Sequence, residues 1–254
     1  MSDGLAGRVV ALIGSGTEAE RAVVVACAEA GAAIALGTQE TAQAQEFAMN
    51  SIANEVWAIG RDHLVRVMDA ASATDITSFA DEVWDRLGRC DLVFACHDVA
   101  ASAPIEELSA DEWEVTIRAN LTAPFLAAQA FARLMERQGT GRVVVVAGVR
   151  PTADAAYVAA RAGLREAVRL MDSYWSVHGV SLSSVDEVPS GGGGRVPGDR
   201  YVAQPRRRTF RLTGQTRWRR LPSPTGGLRM IRALEAAFGW SALPRANRFR
   251  DSSA

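Results

Sequence analysis

The stretch Val9-Val10-Ala11-Leu12-Ile13-Gly14-Ser15-Gly16-Thr17-Glu18-Ala19-Glu20 decides the fold of this chain. Its first half is an unbroken apolar run with the length of a buried strand. Its second half begins a helix with a capping box, in which Thr17 and Glu20 satisfy each other's backbone N–H groups. A buried strand, a glycine turn and a helix are typical of the first unit of a parallel sheet covered by helices on both faces.

The same alternation continues through the first 190 residues, which we therefore predict to form one doubly wound α/β domain. Most of the apolar runs are rich in Val, Ile, Leu and Ala, as expected for strands that are covered on both faces. Right-handed crossovers then predict a Rossmann-like strand order in three layers, αβα. The predicted strands are Arg8–Ile13, Ala33–Leu36, Leu64–Met68, Leu92–Cys96, Arg142–Ala147 and Val180–Val185, and the predicted helices lie near 17–30, 40–54, 73–88, 109–137 and 153–177.

The bulk composition is that of a globular protein, with 48% hydrophobic and 22% charged residues in 254. The three cysteines show neither zinc-site nor CxxC spacing, and Cys27 and Cys96 lie in apolar segments, so we expect both to be small buried hydrophobes and expect no metal site. We find no export signal at the N-terminus and no run long enough to span a bilayer. A cytoplasmic protein is the expectation.

Charge divides the chain at Gly191–Gly194. Residues 191–254 contain 14 Arg and three acids, a net charge of +11, whereas residues 1–190 contain 14 Arg and 26 acids, a net charge of −12. We predict a segment rich in Gly, Arg and Pro over 191–254, with one helix at 227–238, that either follows the domain or completes it. Its positive charge is suited to binding nucleic acid, an acidic partner or the chain's own acidic domain. Alternatively, the segment is a disordered, solvated arm. A frame-shifted reading of a GC-rich gene would also yield this composition.

Several short motifs follow one another in a recognisable order. They are Val9–Gly14, Asp69 after the third strand, Asn120 in Arg118-Ala119-Asn120, Tyr157 and Arg161 followed by Ala162-Gly163, and Leu212-Thr213-Gly214-Gln215-Thr216. In this order they resemble the classical short-chain dehydrogenase/reductase family, over about residues 5–188.

The resemblance implies a nicotinamide dinucleotide, NAD or NADP, as cofactor. It places Gly14, Ser15 and Gly16 at the pyrophosphate, Thr38 beside the ribose and Asp69 at the adenine. The family loop has the form TGxxxGxG, and here Glu18 and Glu20 replace its second and third glycines. Two carboxylates beside an incoming phosphate predict weakened binding, because like charges repel in a partly desolvated cleft.

The resemblance also implies a catalytic group. Tyr157 corresponds to the family's acid–base tyrosine, Asn120 to its helix asparagine, and Arg161 to the lysine that lowers the tyrosine pKa. Arg161 lies four residues after Tyr157, hence on the same helix face, but a guanidinium does not readily release a proton. The family's serine falls on Ala147-Gly148, which has no hydroxyl, and Thr152 is the nearest one.

Three functions remain open from the sequence. The first is a catalytically impaired member of this family that acts as a scaffold or subunit. It would be a homodimer, a homotetramer or a heteromer with a homologue, paired through the helices at 109–137 and 153–177. The second is a divergent, active oxidoreductase of small carbonyls or alcohols that uses Tyr157, Arg161 and Asn120. The third is a binder of nucleic acid or of an acidic partner through residues 191–254, although no recognised nucleic-acid-binding module accompanies the charge.

Overall fold

The computed structural model describes residues 4–99, 104–148, 154–187, 211–212 and 216–217. Strands and helices alternate along this part of the chain, as the apolar runs predict. The strands are β1 Val9–Gly14, β2 Ala33–Thr38, β3 His63–Arg66, β4 Leu92–His97, β5 Gly141–Gly148, β6 Val180–Glu187, β7 Arg211–Leu212 and β8 Thr216–Arg217. The helices are α1 Glu18–Glu29, α2 Gln43–Ile59, α3 Ala73–Leu87, α4 Ala110–Ile117, α5 Ala123–Gln138 and α6 Ala155–Trp175, with a π-helical turn at Arg118–Thr122 and a 3₁₀ turn at Ser176–His178.

Six parallel strands form one sheet in the order β3-β2-β1-β4-β5-β6. The predicted Rossmann-like, three-layer fold is thus confirmed. β1 pairs with β2 on one side and with β4 on the other, so that Ile13 lies between Gly37 and Ala95. The strand order reverses between β1 and β4, and ligands of such sheets bind in the crevice outside the carboxyl ends of the strands at this point.

The two faces of the sheet carry separate hydrophobic cores. Val9, Ala11 and Ile13 of β1 point into the core under α3, α5 and α6, while Val10 and Leu12 point into the core under α1 and α2. Successive side chains of a strand alternate between faces, and both faces are covered, which explains why β1 has no polar residue.

Several predicted bounds differ from the structure by one or two residues, and the largest difference is in the helix predicted near 40–54, which is α2 Gln43–Ile59 and ends at the left-handed cap Gly60. β3 ends at Arg66 rather than Met68, because the Thr38 side chain binds the backbone N–H and C=O of Met68. The predicted helix at 109–137 is divided by the π-helical turn at Arg118–Thr122. The predicted helix at 227–238 lies outside the described residues, and the division of the chain at residue 190 stays a prediction.

Cys27, Cys90 and Cys96 are all buried and in no disulfide bond, and the predicted burial of Cys27 and Cys96 is confirmed. Burial raises the pKa of Cys27 to about 12, so this thiol stays protonated and behaves as an apolar group. None of the helices within the described ranges is long and apolar enough to cross a membrane. Nor does any group of three metal-ligating side chains come together in the part of the chain that the structure describes.

Candidate active site

The glycine loop after β1 is occupied by a side chain of its own helix. Glu20 lies in the first turn of α1, where Thr17 caps the helix and accepts a hydrogen bond from the Glu20 backbone N–H at 3.3 Å. One carboxylate oxygen, Oε2 of Glu20, accepts hydrogen bonds from three successive backbone N–H groups, those of Ser15 at 3.1 Å, Gly16 at 2.6 Å and Thr17 at 2.9 Å. These N–H groups are the donors that a helix N-terminus offers to an anion.

Two glycines make this closed arrangement possible. A Cβ on Gly14 would lie 2.6 Å from Oε1 of Glu20, so only a glycine leaves room for the carboxylate. Gly16 has a positive φ of 79°, and a Cβ there would lie 2.4 Å from the Cβ of Ala48 in α2. The loop is therefore packed between Glu20 on one side and α2 on the other.

Only one of the two predicted carboxylates faces the loop. The side chain of Glu18 is 90% exposed and lies 3.6 Å from a guanidinium nitrogen of Arg21. Glu20, in contrast, is 7% exposed. The sequence expectation holds for Glu20 and is wrong for Glu18, because neighbouring positions in a helical turn point in different directions.

The polar side chains at or just after the ends of β1, β2 and β3 also form hydrogen bonds and ion pairs with other groups of the protein. The hydroxyl of Thr38 donates to the carbonyl of Met68 at 2.9 Å and accepts from its N–H at 2.8 Å. The hydroxyl of Ser15 donates to Oε1 of Gln39 at 3.0 Å. Asp69 accepts from the backbone N–H of Ala71 at 2.9 Å and forms an ion pair with Arg118. Ser15, Thr38 and Asp69 thus each bind other groups of the protein at the positions where the family places the cofactor's pyrophosphate, ribose and adenine.

Asn120 holds the segment that follows β4. It is fully buried in the π-helical turn, and its carbonyl oxygen accepts from the N–H of Val99 at 3.0 Å. Its amide nitrogen donates to the carbonyl of Val99 and, at 2.9 Å, to that of Thr116. Both ends of the side chain therefore serve the backbone, and π-helical turns often occur at functional positions of this kind.

Tyr157 and Arg161 meet Asp98 at the end of β4. The phenol of Tyr157 donates to Oδ1 of Asp98 at 2.8 Å, and Nη2 of Arg161 lies 3.3 Å from the same oxygen. The Arg161 guanidinium lies 5.0 Å from the ring centroid of Tyr157, and it also donates to the carbonyl of His97. Tyr157 and Arg161 are 3% and 4% exposed, whereas the Asp98 side chain is 30% exposed, so the carboxylate of this group still meets solvent.

This environment opposes ionisation of the tyrosine. Burial is the largest effect and raises the pKa of Tyr157; Arg161 lowers it, and the hydrogen bond and negative charge of Asp98 raise it again, with a net increase from the usual value near 10. A family tyrosine that exchanges a proton with substrate near neutral pH needs a lower pKa. Burial therefore sets the direction of the change in the Tyr157 pKa, and Asp98 offsets part of the lowering by Arg161.

His97 adds no base to the site. Burial, together with the positive charge of Arg161, lowers its pKa to about 3, so the imidazole is neutral at physiological pH. Cys96 belongs to the core under α1 and α2, and His97, the next residue of the strand, points to the opposite face of the sheet.

The structure brings the predicted catalytic residues together around residues 97–99, while Gly14, Ser15 and Gly16 lie at the end of neighbouring β1. Sequence analysis did not assign a role to Asp98. Its position one residue beyond β4, at the point where the strand order reverses, was the available signal. Ala147 and Gly148 end β5, whereas Thr152 lies outside the described residues.

Comparison with known proteins agrees with the fold. The sequence model of the short chain dehydrogenase family matches residues 8–188, and the chain belongs to this family. It is 29% identical over 188 residues to a D-threitol dehydrogenase of Mycolicibacterium smegmatis, a match that covers 71% of this chain and 69% of the relative. It is 25% identical over 185 residues to a levodione reductase of Leifsonia aquatica, with 70% and 67% covered.

Solved structures show the same architecture. An NAD⁺-bound xylitol dehydrogenase superposes with a TM-score of 0.68 at 23% identity, covering 74% of this chain and 73% of the other. A metagenomic short-chain oxidoreductase in complex with NADP gives a TM-score of 0.63, also at 23% identity, with 72% and 83% covered. The family thus binds nicotinamide cofactors generally. The loop geometry described above does not fit such a group in this chain, because the Glu20 carboxylate already accepts from the N–H groups that a pyrophosphate needs.

Proposed function

We propose that this protein is a non-catalytic member of the short-chain dehydrogenase family that acts as a structural subunit. The observation that carries the proposal is the carboxylate of Glu20, which accepts hydrogen bonds from Ser15, Gly16 and Thr17 in the place of a phosphate. Charge-assisted hydrogen bonds of this kind are the strong ones, and this helix N-terminus forms three of them with its own residue.

A dinucleotide would have to displace this carboxylate and then bind beside it. Two like charges 4 Å apart repel by about 4 kcal/mol at an effective dielectric constant of about 20. This corresponds to roughly a thousand-fold loss of affinity, before the lost hydrogen bonds of Glu20 are counted. We therefore expect NAD and NADP to bind weakly or not at all.

The tyrosine supports the same proposal. The Tyr157 hydroxyl donates a hydrogen bond to Asp98, and the pKa of Tyr157 is raised rather than lowered. Cofactor binding is thus opposed by the Glu20 carboxylate, and proton transfer is opposed by the burial of Tyr157 together with Asp98.

A subunit needs a surface for its partner. Helix α6 exposes three large apolar side chains, Val158, Leu170 and Tyr174, with exposed fractions of 54%, 56% and 61%. Leu170 and Tyr174 lie four residues apart on one face of the helix, and a contiguous exposed apolar patch favours a protein interface. We propose that α6 pairs with a second copy of the chain or with an active homologue, in a dimer or a tetramer.

Calorimetric titration with NADH and NADPH tests the proposal. We expect no saturable binding tighter than about 100 μM for the wild-type chain, whereas Glu20→Ala should bind detectably, because the three N–H groups become free. Alanine is preferred to glutamine, since a glutamine carbonyl could still accept from the loop. Glu18→Ala is the matched control and should leave binding unchanged, because Glu18 is exposed.

Wild-type binding tighter than about 100 μM would overturn the proposal, since it represents more than about 5 kcal/mol at a loop that is already occupied. It would favour the second candidate, an active oxidoreductase of small alcohols or carbonyls. The observation in favour of that candidate is the convergence of Tyr157, Arg161 and Asn120 around residues 97–99. The polyol dehydrogenases among the relatives then indicate polyols as the first substrates to try.

A further inference from the structure

Helix α4 packs against α6 on one side, and its other side, together with the turn before it, is exposed within the part of the chain that the structure describes. In residues 104–115, all side chains except that of Leu108 are exposed. Three of them are large and apolar, namely Ile105, Trp113 and Val115, with exposed fractions of 71%, 40% and 60%. Only Thr116 is buried within α4 itself, which is unusual for a helix of a globular domain.

The negative charge of this surface indicates which kind of segment binds to it. Residues 104–115 contain five acids, Glu106, Glu107, Asp111, Glu112 and Glu114, and no basic residue. A second copy of the same surface would bring like charges together, which disfavours self-pairing through α4. Nucleic acid is disfavoured for the same reason. Residues 191–254 carry a net charge of +11 and include Trp218 and Trp240, so they complement both the acids and the apolar side chains.

The topology of the sheet places the start of residues 191–254 within reach of α4. The chain leaves β6 at Glu187, at the carboxyl edge of the sheet, and β4, which leads to α4, ends at the same edge. The two strand ends are two positions apart in the sheet, about 10 Å at the usual strand spacing. The glycines 191–194 then provide a flexible connection, and a short tether gives an effective concentration in the millimolar range.

We propose that the Arg-rich segment, residues 191–254, docks on the exposed face of α4 in the same molecule, with guanidinium groups against Glu106, Glu107 and Glu114 and apolar side chains against Ile105, Trp113 and Val115. The proposal rests on α4 and on the charge of the segment, and it holds whether or not the glycine loop binds a dinucleotide.

Limited trypsin digestion of the full-length chain tests it. Trypsin cuts this protein only after arginine, because the chain contains no lysine, and 14 of its 28 arginines lie in residues 191–254. The triple variant Glu106→Gln, Glu107→Gln, Glu114→Gln removes three charges from the α4 face and leaves the Ser109–Glu112 capping box intact. We expect cuts within 195–250, assigned by mass spectrometry, to become at least about five-fold faster, since each exposed ion pair contributes a modest factor.

The matched control is Glu29→Gln, Asp81→Asn, Asp85→Asn, which removes three exposed charges from α1 and α3. In this control variant, trypsin should cut residues 191–254 at the wild-type rate. The variant Ile105→Gln, Val115→Gln tests the apolar contribution and should also accelerate cutting. Cuts at arginines within residues 8–169 should stay slow in every variant, which shows that the domain remains folded.

Equal cutting rates in the α4 variant and the control would overturn the proposal. If trypsin cut residues 191–254 of the wild type faster after dilution, the proposal would also be overturned, because the segment bound to α4 would then come from a second molecule. A change of oligomeric state in the α4 variant, with segment cutting unchanged, would show that a second copy covers α4 instead. Faster cutting of the wild type at high salt would support it, because salt screens exposed charges.

Discussion

At the residue scale, Gly14 and Glu20 form one unit. The absence of a side chain at position 14 creates the space that the Glu20 carboxylate fills, with Oε1 only 2.6 Å from where a Cβ would be. The family keeps a glycine at the first position of its loop so that a phosphate can approach the backbone. In this chain the same glycine admits a carboxylate of the protein itself.

This coupling predicts a non-additive pair of substitutions. Gly14→Ala should destabilise the wild type by about 1–3 kcal/mol through overpacking, and by much less in the Glu20→Ala background, where the obstacle is gone. Urea unfolding of the two single variants and the double variant measures the coupling. Gly60→Ala is the control, since Gly60 has a positive φ of 81° but nothing within 4 Å of a Cβ. The loss of unfolding free energy caused by Gly60→Ala should be the same in the wild type and in the Glu20→Ala background. If the losses caused by Gly14→Ala and Glu20→Ala were also simply additive, Glu20 would not fill the loop.

Tyr157 offers a second prediction at this scale. Its folded-state pKa is raised, so its contribution to stability is fully present below the unfolded pKa near 10 and is lost as the pH rises through the folded pKa. Asp98→Asn removes a charge that raises this pKa, and we expect the phenol to ionise at lower pH in that variant. Alkaline difference spectroscopy measures the transition, with a Tyr157→Phe sample to subtract the other two tyrosines. An unchanged or higher pKa in Asp98→Asn would contradict the assigned hydrogen bond.

At the scale of elements, the contact between α3 and α5 supports the sheet beneath the site. Phe79 of α3 and Phe131 of α5 meet edge to face with ring centroids 5.8 Å apart, and both are fully buried. α5 follows directly after the π-helical turn that contains Asn120, so this packing also fixes the turn that holds Val99.

We expect Phe131→Ala to destabilise the protein by about 3–5 kcal/mol, because it removes a buried ring and leaves a cavity. Phe47→Ala is the matched control: this phenylalanine on α2 is 64% exposed, and its loss should change the stability by less than about 0.5 kcal/mol. Chemical denaturation of both variants gives the comparison. Similar losses for the two would mean that the α3–α5 contact is not part of the core.

At the scale of the whole molecule, charge and architecture are distributed unevenly. The acidic part, residues 1–190, contains all six strands of the sheet, and the strongly basic part follows from Gly191. This division determines which surface of the domain suits the basic segment. Of the partners that the sequence leaves open for that segment, the exposed acids of α4 favour the chain's own domain.

The strands were predictable to within two residues at either end, because runs such as Val9–Gly14 lie between two helical layers and carry no polar residue. The helix at 109–137 was predictable as helix, but its π-helical turn was not. Asn120 within that turn binds Val99, 21 residues earlier in the chain, and no local pattern reports such a contact. The two-carboxylate prediction for the glycine loop was half right. Spacing along a helix locates Glu18 and Glu20 in the first turn but does not show which side chain folds back over it.

The sequence by itself determined the doubly wound fold, the family resemblance and the capping box at Thr17–Glu20, because these depend on apolar periodicity and on contacts within a few residues. Only the tertiary structure decided that Glu20 binds three N–H groups of the loop and that Asp98 binds Tyr157. Asp98 and Tyr157 are 59 residues apart in sequence, and their distance in space is fixed by the packing of α6 against β6 and α5. No local pattern reports such a distance, and the chemistry of the site depends on it.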